Sequence, residues 1–426
     1  MKLIAITLLV LLCSAITGFT TPTPAKTRLL NNQQAERWRA DIDVIQQELE
    51  RRHIKLYHKI NAVFFKRELT RIKQQLTSLT ETSLAIELMR LTQQVGDGHT
   101  QFAWWGTEHH RYPLELRLFG NDLRVVGIAR QHKQLLGAKL IAIEGIAIEQ
   151  LHKLIEPILQ GVENIYSAQQ RFTETIVVAD ILHGLKIIQH LQQASFTFKL
   201  SSGEELSIKL ESFPNQQFHK PNMDFIKKST LTNFTPGKIS VKGLDLQLSN
   251  NHQIAYLDFY SYPDFPTMQD FAEELIELLR EKNTKEVIID LRNNGGGDFF
   301  VGLQLAWALI MVDNLNWNHG IYVLTGRKTF SAAMSNAVQY RQLLNATLVG
   351  EPTGANPVGY QDAGTFKLPN SGWVVMYSKR LYKFQETSTP GVQPDVLLTP
   401  DWELLKQGRD NQLEWILEDI RKHNKH

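Results

Sequence analysis

Three short segments combine residue types that can do chemistry. In Gly326-Arg-Lys-Thr-Phe-Ser331-Ala-Ala333, a strand (Ile321 to Leu324) leads through a short turn into a helix that begins at Ser331. At a helix N-terminus, free backbone N–H groups and the helix dipole favour developing negative charge. That suits a serine nucleophile, with the N–H of Ala332 as one oxyanion donor. The commoner role of a serine at this place is a simple N-cap. In Val287-Ile-Ile-Asp290-Leu-Arg292-Asn-Asn-Gly295-Gly-Gly297, a buried strand runs into three glycines. Glycines let a backbone approach a ligand closely and turn N–H groups into a site. A flexible turn uses the same residues, and a phosphate loop lacks its Gly-Lys-Ser/Thr ending here. The third segment is Asp97-Gly98-His99-Thr100, where a histidine after a glycine turn could act as general base. A lone histidine is more often a surface or core residue. His109-His110 lies nearby, but no His-x-Glu or cysteine partners stand at ligand spacing, so no metal is expected.

These segments need elements to hold them. Residues 31–91 show helical stripes: Trp38, Ile42, Ile45 and Leu49, then Leu69, Ile72, Leu76 and Leu79, then Leu84, Leu88 and Leu91 after a capping region at Thr80–Ser83. Residues 112–150 turn to strand character, a helical stretch lies near 165–192, and 196–200 with 206–210 read as a hairpin. A β-rich module with an inserted helix fits 112–212. Residues 213–250 read as a polar connector with one strand pair. From 252 the pattern alternates: strands at 254–259, 287–291, 321–324, 347–350 and 373–377, helices at 267–281, 299–311 and 331–344. That order implies an α/β sheet with crossover helices. An amphipathic helix over 411–422 ends the chain.

The chain has 426 residues, 46 basic and 44 acidic side chains and a net charge of +2. That length suggests two or three domains. The near balance argues against nucleic acid as a partner, which needs a basic surface. Lys2 followed by the apolar run Leu3–Leu12 and the Thr/Pro-rich stretch 20–25 reads as an export signal of residues 1–25. It is too short for a membrane span, which takes about 20 apolar residues, and polar flanks argue against a buried helix. The expected location is periplasmic or secreted. Cys13, the only cysteine, lies in this segment, so the mature chain has no disulfide. Lipidation at Cys13 is the alternative, although Leu12 is large for a lipobox.

Taken together and in order, Asp97-Gly-His-Thr100, Ile289-Asp-Leu-Arg-Asn-Asn-Gly-Gly-Gly297 and Thr329-Phe-Ser-Ala-Ala333 resemble the landmarks of the tail-specific (C-terminal-processing, tricorn-like) serine peptidase family. Gly350-Glu-Pro-Thr-Gly354 and Gly391-Val-Gln-Pro-Asp-Val396 match its later loops, and Leu136–Gly145 resembles late strands of its PDZ-like module. The resemblance implies a ClpP/crotonase-like peptidase core at 251–400, an N-terminal helical region at 31–103, a PDZ-like module at 112–212 and a C-terminal helix within 401–426. It implies cleavage of peptide bonds in protein or peptide substrates through a Ser331 acyl-enzyme, without a cofactor and with preference for C-terminal ends. The family's Ser–Lys branch has a lysine where this chain has Asn356 or Pro352. The tricorn-like branch fits better, and implies His99 as base and Glu386 as the acid that orients it. The expected oxyanion hole is Ala332 with Gly295, Gly296 or Gly297. In that branch a serine precedes the histidine, whereas Gly98 stands here. Two other readings share the scaffold: a non-catalytic ligand- or peptide-binding protein, and a crotonase-type acyl-CoA enzyme, which an export signal disfavours.

Overall fold

The computed structural model describes residues 28–217, 222–227, 231 and 233–424. The expected export signal and Cys13 lie outside the described residues. Leucine and β-branched runs set the central sheet. Its strands lie in the order Phe234–Val241, Leu244–Ser249, Ile254–Phe259, Glu286–Asp290, Ile321–Thr325, Thr347–Gly350 and Val396–Leu397. The first three pair antiparallel and the rest run parallel. Glu286–Asp290 and Ile321–Thr325 are buried at every position, as parallel strands covered on both faces must be. Helices Phe265–Glu281, Phe299–Ile310 and Ala332–Leu344 cover one face, where Leu257, Ile289 and Val323 meet Leu275, Leu305 and Met334. The C-terminal helix Asn411–His423 covers the other, packing Leu413, Ile416 and Ile420 on Tyr256, Ile288 and Tyr322.

Two sequence expectations are corrected here. The strand pair within 234–249 is part of the central sheet, not of a connector. Leu244, Leu246 and Leu248 point into the same core as Leu257, which anchors it there. The strand expected at 373–377 is absent from that sheet. It lies in the hairpin Val358–Lys367 and Val374–Lys383, whose Phe366, Val375 and Tyr377 are buried against the N-terminal helices Asn32–Arg52, Ala62–Gln75 and Glu81–Gln93. Asp41 pins that hairpin. Fully buried, its carboxylate accepts the N–H groups of Asn370 at 3.0 Å and Ser371 at 2.8 Å in the hairpin turn.

A second seven-stranded sheet is built from residues 114–225, with strand order Met223–Phe225, Asp122–Ala129, Lys139–Ile143, Gln193–Lys199, Glu205–Glu211. Leu114–Phe119 pairs with Asp122–Ala129, and Ile146–Ala147 with Lys139–Ile143. Helices Ile148–Ile155, Ile165–Thr175 and Ala179–Gly184 pack on it through Leu151, Phe172 and Leu182. Among the described residues, no helix is long and apolar enough to cross a membrane.

The end of strand Glu286–Asp290 is fixed by a charge network. Arg292 lies 2.6 Å from Asp290 and 2.7 Å from Asp410, and Tyr256 donates to Asp290 at 2.7 Å. Burial alone would raise the Asp290 carboxyl, but Arg292 and Tyr256 hold it below its ordinary value of 3.8. A carboxyl lowered on folding contributes stability above its unfolded value, and loses it as pH falls through the folded one. Asp290→Asn is therefore expected to lower stability at pH 7 by about 3 kcal/mol. Below pH 4 the wild type should lose stability more steeply than the variant. Urea midpoints measured across pH check this, and parallel acid limbs would contradict it.

Candidate active site

Ser331 follows the buried strand Ile321–Thr325 and precedes the helix Ala332–Leu344. It is not an ordinary N-cap. Its φ is 52° and ψ −125°, outside the extended region that caps use, and its side chain accepts no N–H of the helix. The neighbouring turn holds it there. Thr329 Oγ1 donates to the carbonyl of Leu291 at 2.8 Å and accepts Gly326 N–H at 3.0 Å. Phe330 N–H donates to the carbonyl of Asn294 at 3.1 Å. Gly296, at φ +109°, packs against the serine itself: a Cβ there would sit 2.7 Å from Ser331 Cβ and 2.9 Å from the carbonyl oxygen of Phe330.

His99 is buried and its Nε2 stands 2.9 Å from Ser331 Oγ. Asp97 sets its backbone. That carboxylate accepts the N–H groups of His99 at 3.1 Å and Thr100 at 2.8 Å, and the hydroxyls of Thr100 and Ser378 at 3.0 and 2.6 Å. His53 Nε2 lies 3.0 Å away. Burial opposes ionisation of Asp97, but His53, Ser378 and Thr100 outweigh it and hold the carboxyl below its ordinary range. His53, His58 and Asp97 lie within 4.8 Å of one another and could in principle ligate a metal. However, His53 Nδ1 accepts the N–H of Lys55 at 2.9 Å, so its Nε2 carries the proton and donates to Asp97. The cluster is a hydrogen-bonded brace, with no lone pair on His53 to offer a cation. His109 and His110 turn to different partners, the Thr107 carbonyl and Asp180.

The carboxylate at the other face of the imidazole is Glu163, which the sequence reading did not single out. Its Oε1 is 3.3 Å from His99 Nδ1 with both side chains about 95% buried (5% and 4% exposed). The pair is out of line for a hydrogen bond, and neither atom has another hydrogen-bond partner. Such contacts commonly tighten only when substrate binds. Glu163 Oε2 accepts the N–H of Asn356 at 2.7 Å, and Asn356 Oδ1 accepts Asn164 Nδ2 at 2.8 Å and Gly391 N–H at 2.9 Å. Asn356, the residue standing where the Ser–Lys branch has lysine, thus clamps the acid. Gly98 makes room for it: a Cβ at that position would lie 2.6 Å from Glu163 Cγ and 2.7 Å from Oε1. The available signals in sequence were the missing side chain at Gly98 and the capping box Asn164–Ser167, which starts a helix directly after Glu163.

Glu386, by contrast, is exposed in the loop after Val374–Lys383 and is not brought to His99. Residues 386–388 are exposed, between Phe384 and Val392, which both pack on the core. Gly296 also departs from the expected donor set, because its N–H is already given to Asn294 Oδ1 at 2.9 Å. Gly295 and Gly297 line the same cavity as Ser331 and His99, and Ala332 opens the helix with its N–H unused by it. This cavity of about 600 Å³ has an apolar wall of Met89, Trp104, Ile181 and Met376. Lys328 is exposed and Lys379 pairs with Asp362 at 2.9 Å.

Residues 253–315 and 304–398 match the family model for Peptidase family S41. No curated protein matches the chain. Among solved structures, mature CPAF complexed with lactacystin is similar over 90% of this chain and 97% of that one, at 12% identity and a TM-score of 0.63. Mature CPAF alone gives 90% and 96%, 12% identity and 0.60. The photosystem II D1 C-terminal processing protease gives 86% and 94%, 14% identity and 0.41. At such identity the CPAF likeness shows a shared mixed α/β fold. The family match is of another kind, for it falls on the parallel strands of the central sheet, the triple-glycine loop and the helix headed by Ser331; over residues 253–398 the chain is similar to Peptidase family S41.

Proposed function

We propose that the chain hydrolyses peptide bonds with Ser331 as nucleophile, His99 as general base and Glu163 as the acid that orients it. The observation that carries this is the 2.9 Å contact of Ser331 Oγ with His99 Nε2, made from a positive-φ serine at a helix head. Ser331 attacks the scissile carbonyl and its proton passes to His99 Nε2. The imidazolium so formed is stabilised through Nδ1–H by Glu163. The N–H of Ala332, with that of Gly295 or Gly297, receives the oxyanion. His99 then protonates the leaving amine, and water hydrolyses the acyl-enzyme by the reverse transfer. No step calls for a metal or cofactor.

The finer reading extends further. We infer a ClpP/crotonase-like core at 251–400 and a PDZ-like module at 112–212 that takes an extended peptide, with preference for C-terminal ends. A cavity of about 800 Å³ supports this, because Leu116, Arg117 and Leu118 on one strand edge and Gln169, Gln170 and Thr173 on the neighbouring helix line it. A strand edge beside a helix is suited to strand addition. Residues 31–103 would cap the site. The apolar N-terminal run of the sequence supports export, and hence substrates outside the cytoplasm.

Two sets of variants test the catalytic assignment by steady-state kinetics on a casein-derived peptide. Ser331→Ala and His99→Ala are expected to lower kcat by about 10⁴-fold or more, and Glu163→Gln by about 10²-fold or more. Glu386→Gln should leave it near wild type. A normal Glu163→Gln beside an inactive Glu386→Gln would reverse the assignment. The second set concerns Gly98. Gly98→Ala should displace Glu163 and lower kcat about as far as Glu163→Gln does, and adding it to Glu163→Gln should cost little more. Additive losses would show that Gly98 acts by another route.

A further inference from the structure

We propose that Phe300 forms a subsite for an aromatic or large apolar side chain of the substrate, three or four residues from the scissile bond, an inference that rests on the peptidase reading above. The helix Phe299–Ile310 carries no charged residue, and only Asp298 separates it from the triple-glycine loop. Asp298 fixes that end of the helix, because its carboxylate accepts the N–H of Phe300 at 2.9 Å. Phe300 is nonetheless 57% exposed. A single exposed apolar residue is ordinary on a protein surface. Phe300 differs in what backs it. Its ring centroid lies 4.3 Å from that of Phe299, and Phe299 meets Tyr382 at 5.7 Å and Phe384 at 5.9 Å. Tyr382 and Phe384 are 5.3 Å apart. The Phe300 ring is thus supported from behind by a cluster of aromatic rings, while more than half of the residue faces water.

Two tethers place this cluster beside the chemistry. Gly297 lines the catalytic cavity, and the three residues of chain from it to Phe300 span at most about 11 Å. From the nucleophile, Asn336 lies five residues along the helix Ala332–Leu344, an advance of about 7.5 Å. Its Nδ2 donates to the carbonyl of Phe299 at 3.0 Å. An extended peptide advances about 3.3 Å per residue, so about 10 Å corresponds to three or four residues of substrate. The hairpin Val358–Lys367 and Val374–Lys383 supplies the facing side. Its Ala363 and Met376 line the same cavity, and its strands continue to Leu381, which is 46% exposed, and to Tyr382, opposite Gly359. The aromatic cluster therefore joins two elements that wall the cavity, the glycine loop and the hairpin. A peptide that crosses Ser331 and leaves the cavity between them meets the open ring of Phe300. An aromatic side chain there gains a stacked or edge-on contact beyond its buried area. A short polar side chain gains neither, and a charged one loses hydration without a partner.

The test uses the full chain and a series of quenched fluorogenic peptides built on one cleaved sequence. Phe or Ser is placed in turn at each of the four positions on either side of the scissile bond, with the cut site confirmed by mass spectrometry. At one position, three or four residues from the bond, kcat/KM should be about tenfold higher for Phe than for Ser in the wild type. That ratio should fall to about twofold in Phe300→Ser and persist in Phe300→Trp. Trp307→Ser, on the same helix but about 10 Å further along, should leave the ratio as in the wild type. A ratio near one at these positions, a ratio unchanged in Phe300→Ser, or an equal loss in Trp307→Ser overturns the proposal. Labelling of Ser331 by a fluorophosphonate in the same samples separates the two levels. A labelled enzyme that cuts without regard to these positions refutes this inference alone, whereas an inert Ser331 with no peptide cut refutes the peptidase reading beneath it.

Discussion

The φ of 52° at Ser331 puts a non-glycine residue in a conformation that costs on the order of 1–3 kcal/mol, and it persists only if its surroundings over-determine it. They do so from three sides. Thr329 ties the turn to Leu291, Phe330 is held by Asn294, and Gly296 lies so close to the serine backbone that no side chain fits between them. The triple glycine thus has a packing role at its centre, and its flanks are the oxyanion donors of the proposed mechanism. Arg292, locked between Asp290 and Asp410, fixes the strand end from which this loop departs.

A serine needs a base to act as the proposed nucleophile, and the groups around Ser331 come from distant parts of the chain. Asp97 is the hub that makes their meeting exact enough for chemistry. It joins His53 from the N-terminal helices, the backbone of His99, and Ser378 of the hairpin. The acid arrives separately, from the loop ahead of the helix Ile165–Thr175, and is held by Asn356 of the loop after the central strand Thr347–Gly350. Four layers of the fold therefore converge on one imidazole. This explains why the hairpin is pinned by the buried Asp41, since a shift of the hairpin would move Ser378 and with it Asp97.

Much of this is legible in sequence because its signals are local. Strand–turn–helix spacing marks the place of Ser331, glycine punctuation marks 295–297, and the turn at 96–100 follows directly from Gly96 and Gly98. The acid is not legible in that way. Glu163 reaches His99 only through tertiary approach, and a family resemblance points instead to Glu386, whose loop faces solvent here. Gly98 reads in sequence as a lost polar group, whereas in three dimensions it is the vacancy that Glu163 fills. Asn356 likewise reads as a lysine removed, and is in fact the clamp on the acid. The strand pair at 234–249 escaped the central sheet on polarity, because only its alternate leucines face the core.

Activation of Ser331 by His99 is the step on which the proposed chemistry turns. The most direct measurement is the rate at which a fluorophosphonate modifies the intact protein, with the adduct located by peptide mass spectrometry. The expected result is one adduct, on Ser331, formed quickly in the wild type and at least about a hundredfold more slowly in His99→Ala. An adduct on another residue, or modification of Ser331 at an unchanged rate without His99, would contradict it.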